Sequence, residues 1–343
     1  MRVLIDIGHP AHVHFFYHPI KILSNRGHEV MVTSRVKEIS LDLLDNLGIP
    51  HLTLSSQGEK GMFSLAKELI LRDKRLFSEA TKFRPHVMTG IGGIFVSHVG
   101  LLKGIPSVVF YDTENAVLQN LLTYPFATRV MVPECYQGWT LARNTTRYKG
   151  YHELAYLHPD YFRADKSIAI KSGLSETKDN YFVRLVSWQA SHDVGEKGWN
   201  EELLKNLIDK LTPEANVMIS SERELPAEFQ QYSYKGAPQD VHHVLAYLKG
   251  FIGESATMAS ECAVLGVPSI YMANTGRGYT DEQESRYNLV KNVRDLTWTS
   301  LKATLPWLLE MSDEDRHASR QNILSDTIDV SQYIVETLED VAI

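Results

Sequence analysis

The sequence predicts an α/β fold in which two doubly wound halves are joined by a linker, and three observations predict it. The chain has 343 residues, which is enough for two domains of ordinary size. Strand-like and helix-like segments alternate from the first residue, which is typical of βαβ units and parallel sheets. The strand-like runs are apolar throughout, as expected of parallel strands that helices cover on both faces.

The first half alternates between strands and helices, and a glycine closes most of the helices. Gly27, Gly48 and Gly104 each follow the last apolar residue of a helical period, where a helix commonly stops. The predicted strands are Val3–Ile7, Glu29–Thr33, His51–Leu54, His86–Thr89, Ser107–Tyr111 and Arg129–Val132. The predicted helices are His14–Asn25, Ile39–Leu47, Met62–Phe83 and Ile94–Leu102.

The alternation weakens over residues 148–180, of which 163–178 are polar and lack a clear period, and then it restarts. The second half predicts strands at Tyr181–Ser187, Asn216–Ser220, Phe251–Ile252 and Ser269–Met272, helices at Asn200–Leu211, Val241–Leu248 and Thr257–Leu265, and a helical tail from Ser300. We therefore predict an N-terminal domain over residues 1–162, a linker over 163–180 and a C-terminal domain over 181–343. The last helices can cross back onto the first domain.

Composition excludes several classes of protein. A net charge of −7 with 43% hydrophobic and 22% charged residues is ordinary for a globular protein, and it argues against broad nucleic-acid binding. The chain has two cysteines, Cys135 and Cys262, which is too few for a disulfide framework or a four-thiolate zinc site. A reducing compartment is therefore expected. The apolar run at the N-terminus is too short for a signal-peptide core, and the run 91–111 is interrupted by polar residues and a proline. We expect a cytoplasmic protein.

Three loops that follow predicted strands are candidate ligand sites, because ligands bind at the carboxyl ends of parallel strands. The first loop begins at Gly8, where the backbone can turn tightly, and carries His9 and His12. An imidazole can transfer protons near neutral pH, but it can equally cap a helix or bond the backbone. Four histidines between residues 9 and 18 also suggest a metal site. No carboxylate or thiolate lies near them in sequence, so we predict no metal.

The second candidate site combines a glycine-rich turn with an acidic segment one strand later. Gly92 and Gly93 resemble a phosphate-binding turn, although the full GxGxxG pattern is missing. Asp112 and Glu114 follow an apolar strand and precede a helix. They can act as a general base or bind sugar hydroxyls, and the alternative is that they cap the helix.

The third candidate site gives the strongest signal, because a strand ends in Gly-Glu-Ser and a helix of small residues follows. The N–H groups at the start of such a helix, together with its dipole, form a site for an anion. Glu261 lies seven residues after Glu254, so we expect both carboxylates on one helix face. An ordinary buried helix is the alternative. The predicted substrate contacts of this motif are Gly253, Glu254, Ser255, Ala256, Thr257 and Glu261.

Several blocks of the sequence resemble an uncharacterised prokaryotic family known as domain of unknown function 354. The resemblance lies in Ile5–Phe16, Arg26–Val30, Tyr111–Ala116, Gly150–Leu157 and Arg184–Trp188, and it runs over most of the chain. That group is similar to GT-B glycosyltransferases, to the transferase that completes lipid II and to non-hydrolysing UDP-GlcNAc 2-epimerases.

The resemblance implies two Rossmann-like domains that face each other across a cleft holding a nucleotide sugar. It implies that the nucleotide binds mainly to the C-terminal domain, with Glu261 on the ribose and residues 255–257 on the diphosphate. The loop of His9 and His12 corresponds to the acceptor region and to the catalytic base of inverting enzymes. In the block Arg184–Trp188, at the end of the first strand of the second domain, Arg184, Ser187 and Trp188 are further predicted substrate contacts.

The leading functional hypothesis is an inverting transfer of a sugar from a nucleoside-diphosphate sugar, UDP-type, to a glycan or lipid-linked acceptor in surface polysaccharide synthesis. No cofactor or metal is required, since helix amides and a few cations can complement the diphosphate charge. An epimerase or hydrolase that acts on the sugar nucleotide is one alternative, and a non-catalytic nucleotide-sugar-binding protein is another. A lipid-linked acceptor leaves room for peripheral contact with the inner face of a membrane. The sequence leaves the oligomeric state open.

Overall fold

The structure is a computed structural model that describes residues 1–35, 40–55, 62–186 and 198–342. The chain folds into two compact units. The first unit comprises Met1–Tyr156 together with Ile328–Ile343, and the second comprises Leu157–Thr327. Each unit contains one parallel sheet with helices between its strands. The predicted α/β class, with two doubly wound sheets, is confirmed.

The part of the chain up to residue 157 builds the larger sheet. Its strands are β1 (Arg2–Ile7), β2 (Glu29–Arg35), β3 (His51–Ser55), β4 (Val87–Ile91), β5 (Ser107–Phe110), β6 (Arg129–Pro133) and β7 (Thr145–Tyr148). Its helices are α1 (Pro10–Asn25), α2 (Ser40–Asn46), α3 (Met62–Phe83), α4 (Ile94–Lys103), α5 (Val117–Thr123) and α6 (Leu154–Leu157).

The strands of the larger sheet lie in the order β3-β2-β1-β4-β5-β6-β7 and pair in parallel. The order reverses between β1 and β4, so the loops after these two strands diverge and leave a crevice at their carboxyl ends. The loop after β1 begins with Gly8, and the loop after β4 contains Gly92 and Gly93. The fold therefore gives both predicted loops the position expected of a ligand site.

The remaining part of the chain builds the smaller sheet and the C-terminal helices. The strands are β8 (Asp179–Leu185), β9 (Ala215–Ser221), β10 (Gly250–Gly253), β11 (Ser269–Met272) and β12 (Val290–Val293). The helices are α7 (Lys166–Lys171), α8 (Glu201–Leu211), α9 (Val241–Leu245), α10 (Ala256–Leu265), α11 (Gly278–Ser285), α12 (Trp298–Glu310), α13 (Asp313–Asp326) and α14 (Val330–Val341).

The strands of the smaller sheet lie in the order β12-β11-β10-β8-β9, again in parallel. Here the order reverses between β8 and β10, so the loop that begins at Glu254 lies at the switch point. Apolar side chains of β8 and α8 form the core behind it, with Trp199 almost fully buried among them.

The division into units differs from the predicted boundaries at 162, 163–180 and 181. Residues 163–180 belong to the second unit and contain α7, whose six residues are too few to produce a visible period. Polar groups there are satisfied locally: the Asn180 carboxamide accepts the Ser175 N–H at 2.7 Å and the Asn216 amide at 2.8 Å. A polar segment of this kind resembles a linker in sequence although it is bound to the sheet.

The last helix, α14, belongs to the first unit and packs against α1. Arg26, at the C-terminal end of α1, donates to Glu339 at 2.6 Å, and His28 lies 2.9 Å from the same carboxylate. Ser331 Oγ donates to the carbonyl of Ala155 at 2.6 Å in a fully buried position. Buried and charged contacts therefore hold the C-terminal helix on the N-terminal unit.

Candidate functional site

The histidine loop after β1 is mostly the first turn of a helix. We expected a loop over residues 8–14, but α1 already begins at Pro10, which fills the first helical position, where proline is well tolerated. His9 is the N-cap, and its Nδ1 accepts the N–H of Ala11 at 3.2 Å. His12 lies in the first turn, and its Nδ1 accepts the N–H of Gly8 at 3.2 Å. The alternative interpretation, in which these histidines cap the helix and bond the backbone, holds for the Nδ1 atom of each ring.

These contacts decide where the two imidazoles carry their protons. An Nδ1 atom that accepts an N–H has no proton of its own, so the neutral rings of His9 and His12 carry it on Nε2. Each ring is then a hydrogen-bond donor at Nε2. The predicted role of either histidine as the general base stays a prediction.

The glycine turn after β4 is explained by packing within the first unit. Gly93 has φ +48°, in the left-handed region, and a Cβ atom there would collide with the side chain of Val109. A Cβ on Gly92 would collide with Gln119. The carbonyl of Gly92 accepts the hydroxyl of Tyr111 at 2.6 Å. The phosphate-binding role of Gly92 and Gly93 stays a prediction, because these contacts already account for both glycines.

Asp112, which follows β5, lies beside a histidine that follows β7. Oδ2 of Asp112 is 3.2 Å from Nδ1 of His152, and its Oδ1 accepts the hydroxyl of Thr113 at 2.9 Å. His152 is only 7% exposed, and its ring lies against Phe15 of α1 with 4.5 Å between the ring centroids. The predicted acid or base Asp112 is therefore one half of a carboxylate–imidazole pair.

Glu114 contacts the backbone of a neighbouring loop. Its Oε1 accepts the N–H of Gln137 at 3.3 Å, which joins the loop after β5 to the loop after β6. It lies two residues beyond Asp112 in the same loop. The catalytic role of Glu114 stays a prediction.

The start of α10 has the features of an anion site. Ser255 is the N-cap, and its hydroxyl accepts the N–H of Met258 at 3.2 Å. The first N–H groups of a helix have no partner within it, so those of Ala256 and Thr257 are the ones that an anion can bind. Gly253 ends β10, where a Cβ atom would lie 2.8 Å from the backbone nitrogen of Arg184. Gly253 thus allows β8 and β10 to approach each other just before the helix.

Glu254 and Arg184 are committed to structural contacts in the second unit. The Glu254 side chain is fully buried, and its carboxylate accepts the N–H groups of Trp199 at 2.7 Å and Val186 at 3.0 Å. Arg184 donates to Ser220 Oγ at 2.6 Å and forms an ion pair with Glu222. Glu254 precedes the N-cap, so the expectation that it shares a helix face with Glu261 is wrong. These contacts argue against the predicted substrate roles of Glu254 and Arg184.

Glu261 lies inside α10 and forms a buried pair. Its Oε1 is 2.9 Å from Nε2 of His242 in α9, and each residue is 6% exposed. Phe162 lies edge-on to the His242 ring at 6.2 Å between centroids. The carboxylate is held in one orientation on the helix whose N-terminus is the anion site. The predicted ribose contact stays a prediction, and His242 is its fixed neighbour.

The described residues leave part of the predicted site untested. Ser187 and Trp188 lie outside them.

Within the described ranges, no group of three or more His, Cys, Asp or Glu side chains is arranged to hold a metal ion. A search of the same ranges finds no helix with the length and apolar character needed to cross a membrane.

The sequence profile of a family described as "Protein of unknown function (DUF354)" matches residues 1–285. The chain belongs to this family. Membership in DUF354 confirms the resemblance found in the sequence blocks above. Its relative "Uncharacterized protein MJ0665" from Methanocaldococcus jannaschii is 24% identical over 285 residues, which cover 79% of this chain and 81% of the relative.

This DUF354 fold is similar to those of a UDP-GlcNAc 2-epimerase and a glycotransferase. One is a UDP-GlcNAc 2-epimerase from Neisseria meningitidis with bound UDP-GlcNAc, with a TM-score of 0.70, 13% identity and coverage of 99% of this chain and 100% of that chain. Another is the glycotransferase of kitacinnamycin, with a TM-score of 0.68, 11% identity and coverage of 99% and 98%. At sequence identities this low, the similarity concerns the fold alone. The TM-scores confirm the predicted GT-B-like architecture.

Sequence reasoning missed the two histidines that partner the predicted carboxylates in this DUF354 chain. His242 precedes Glu261 by 19 residues, and His152 follows Asp112 by 40. A signal for His152 was present, because it lies just beyond the short strand β7, which we did not predict. Recognising that strand would have placed residues 150–152 at the carboxyl edge of the sheet.

Proposed function

We propose that this DUF354 protein is a glycosyltransferase that moves a sugar from a nucleoside-diphosphate sugar, of the UDP type, to a hydroxyl group of a glycan or lipid-linked acceptor. The observation that carries the proposal is the combination of an anion site and a fixed carboxylate on one helix at the switch point of the second sheet. The helix is α10, with its N-terminus after Gly253 and Glu261 within it. We assign the nucleotide to the second unit.

The diphosphate would bind to the N-terminus of α10. The helix has ten residues, and its aligned peptide dipoles place a partial positive charge at Ala256 and Thr257. Arg184 is neutralised by Glu222, so the amides and the dipole are the main complement to the diphosphate charge in this loop. The same groups would stabilise the nucleoside diphosphate as it leaves, because negative charge develops there as the bond to the sugar breaks.

The ribose would bind to Glu261. A carboxylate accepts hydrogen bonds from both hydroxyls of a diol, and His242 keeps this carboxylate from rotating. Fixing a group before the ligand arrives lowers the entropy that binding must lose. Helix amides for the diphosphate and a carboxylate for the diol, on one helix, match the two polar parts of a nucleoside diphosphate.

The acceptor is proposed to be lipid-linked on the basis of one surface of the first unit. Neighbouring helices α4 and α5 expose large apolar side chains, with Leu102 73% exposed and Leu118 72% exposed. A surface of this kind can insert shallowly into a membrane. Flotation of the protein with liposomes tests this, and a Leu102→Glu/Leu118→Glu variant is expected to lose the association.

An epimerase or hydrolase acting on the sugar nucleotide is the second candidate, favoured by the similarity in fold to a 2-epimerase. The two candidates differ in their need for an acceptor. Incubation of the protein with UDP-sugars alone is expected to leave them unchanged if the protein is a transferase. Appearance of a C2 epimer or a free sugar without acceptor would favour the second candidate.

The first experiment is a thermal-shift screen of the full chain with nucleosides, nucleoside monophosphates and nucleoside diphosphates. A ligand that binds only the folded state raises the midpoint of unfolding according to its concentration and affinity. We expect UDP and UDP-sugars to raise it and uridine to have little effect, because the diphosphate makes the contacts with α10. No shift with any nucleoside diphosphate would contradict the assignment.

A further inference from the structure

His152 is a buried imidazole with one nitrogen beside a carboxylate and the other without a hydrogen-bond partner among the described residues. It follows β7 at the carboxyl edge of the first unit's sheet, and Phe15 holds one side of its ring. Phe15 lies one helical turn after His12, so the imidazole lies near the start of α1. Asp112 is 18% exposed at its side chain, which places the pair at the edge of the buried region.

The position of the carboxylate determines which nitrogen of His152 carries the proton. Asp112 Oδ2, 3.2 Å away, is an acceptor, and an acceptor favours the tautomer with the proton on Nδ1. The neutral ring then has its lone pair on Nε2. This is the opposite arrangement to His9 and His12, whose Nδ1 atoms accept backbone N–H groups. Of these three imidazoles, His152 is the one whose contacts leave a basic nitrogen at Nε2.

A buried acceptor without a partner is costly, at about 1–3 kcal/mol. The hydroxyl of Tyr148, on the strand that leads to His152, is a second buried polar atom without a partner among the described residues. Burial raises the pKa of Tyr148 well above its ordinary value, and the negative charges of Asp112 and Glu153 add to the effect. Nε2 of His152 and the hydroxyl of Tyr148 are thus two buried polar groups without a hydrogen-bond partner among the described residues, one a basic nitrogen and the other a protonated hydroxyl.

We propose that His152 is the catalytic base that deprotonates the acceptor hydroxyl and that Asp112 is its positioning residue, an inference that rests on the proposed function. Nε2 takes the proton as the acceptor oxygen bonds to the anomeric carbon. The bond from that carbon to the diphosphate oxygen breaks, and its electron pair leaves with the nucleoside diphosphate. Asp112 stabilises the imidazolium that forms. His9 and His12 donate hydrogen bonds and do not take the proton.

The tautomer of His152 is the first test, and it needs no activity. Two-bond proton–nitrogen correlation spectra of the full chain, labelled with 15N-histidine, identify the protonated nitrogen of each ring. His152→Gln assigns its signals. We expect the proton on Nδ1 in the wild type and on Nε2 in Asp112→Asn, because the asparagine amide can donate to Nδ1. A wild-type ring with its proton on Nε2 would overturn the proposal.

Transfer kinetics are the second test. Glutamine can fill the site but cannot take a proton, so His152→Gln is expected to lower kcat for transfer by about 10²–10⁴-fold. The dissociation constant for UDP should stay within about threefold of the wild-type value. Asp112→Asn keeps the ring in place and should lower kcat with little change in the donor KM. A His152→Gln protein that is folded and transfers sugar within about threefold of wild type would overturn the proposal.

His98→Gln is the matched control. His98 also pairs with a carboxylate, with Nδ1 3.0 Å from Asp73, but its Nε2 lies 2.8 Å from the carbonyl of Leu122. Its replacement is expected to leave kcat unchanged. If the wild-type protein releases no nucleoside diphosphate from any donor, the proposed function fails. The spectra still test separately whether Nε2 of His152 is the basic nitrogen. A proton on Nδ1 supports this assignment, and a proton on Nε2 overturns it.

Discussion

The carboxylate of Glu261 and the imidazole of His242 form a buried pair in the second unit, with 2.9 Å between Oε1 and Nε2. Both residues are 6% exposed, so neither can turn away into solvent. The pair fixes a carboxylate on α10, the helix whose first N–H groups follow the end of β10. This relationship supports the assignment of the nucleotide to the second unit.

The first prediction concerns recognition of the ribose by Glu261. A hydrogen bond to a charged carboxylate contributes about 1.5–3 kcal/mol, so wild-type protein should bind UDP about 10-fold to 100-fold more tightly than 2′-deoxy-UDP. Glu261→Gln should remove most of this preference. Isothermal titration calorimetry with both ligands measures it. Glu222→Gln, which removes a carboxylate after β9, is the control and should keep the preference; equal preference in wild type and Glu261→Gln would refute the contact.

A second prediction tests the helix amides without disturbing the helix. Ala256 is the first residue of α10, where proline is tolerated, and Ser255 has φ −94° and ψ 109°, which suits a residue before proline. Ala256→Pro removes one N–H group. The affinity for UDP should fall about 5-fold to 10-fold, while the midpoint of thermal unfolding changes little. Ala256→Ser keeps the N–H and should bind as wild type does. Unchanged UDP affinity in Ala256→Pro would place the diphosphate elsewhere.

The third prediction separates a structural carboxylate from a ligand-binding one. Glu254→Ala leaves the buried N–H groups of Val186 and Trp199 without their acceptor. At about 1–3 kcal/mol for each, the free energy of unfolding should fall by about 2–6 kcal/mol. Urea denaturation followed by tryptophan fluorescence measures the loss. A variant of wild-type stability that binds no UDP would show instead that Glu254 serves the ligand.

The fourth prediction concerns acid stability and His18 of α1. Burial, together with the smaller effect of the charge of Lys21, lowers the pKa of His18 to about 4, although the charge of Asp329 opposes the shift. The folded state therefore binds fewer protons than the unfolded state, whose histidine titrates near about 6.5. The stability that depends on neutral His18 is present above that pH and is lost as the pH falls through about 4.

Replacing His18 by glutamine removes the titrating group. The free energy of unfolding of His18→Gln should therefore fall less steeply between pH 7 and pH 4 than that of wild type, by at most about 3 kcal/mol over the range. Urea titrations at closely spaced pH values give the two curves. Parallel curves would mean that His18 titrates near its ordinary value in the folded protein.

Much of the fold could be predicted because its signals are local. Apolar runs closed by glycine indicated most strands and helices, and the sequence from Gly253 to Leu265 indicated a strand, an N-cap and a helix in that order. The short strands β7 and β12 and the helix α7 were missed, since four to six residues cannot show a period. Proline and an N-capping histidine started α1 four residues before its apolar pattern begins.

The site was predictable in place but only partly in role. The strand ends that precede Gly8, Asp112 and Glu254 were predicted correctly, because the apolar runs that form these strands stop there. Their chemistry depends on partners that lie far away in sequence: His152 for Asp112, and Val186 and Trp199 for Glu254. A sequence pattern carries no distance between such partners, so the buried contacts of Glu254 and the pairing of His152 with Asp112 became visible only in the fold.

Sugar transfer from a nucleoside-diphosphate donor can be observed by following the anomeric carbon of the sugar. Carbon-13 NMR follows UDP-sugars labelled at the anomeric carbon, with the full chain and a membrane extract that supplies lipid-linked acceptors. We expect the labelled carbon to move into a new glycoside and UDP to be released only when the acceptor is present. Label that stays in the UDP-sugar, or that appears in a C2 epimer without acceptor, would contradict it.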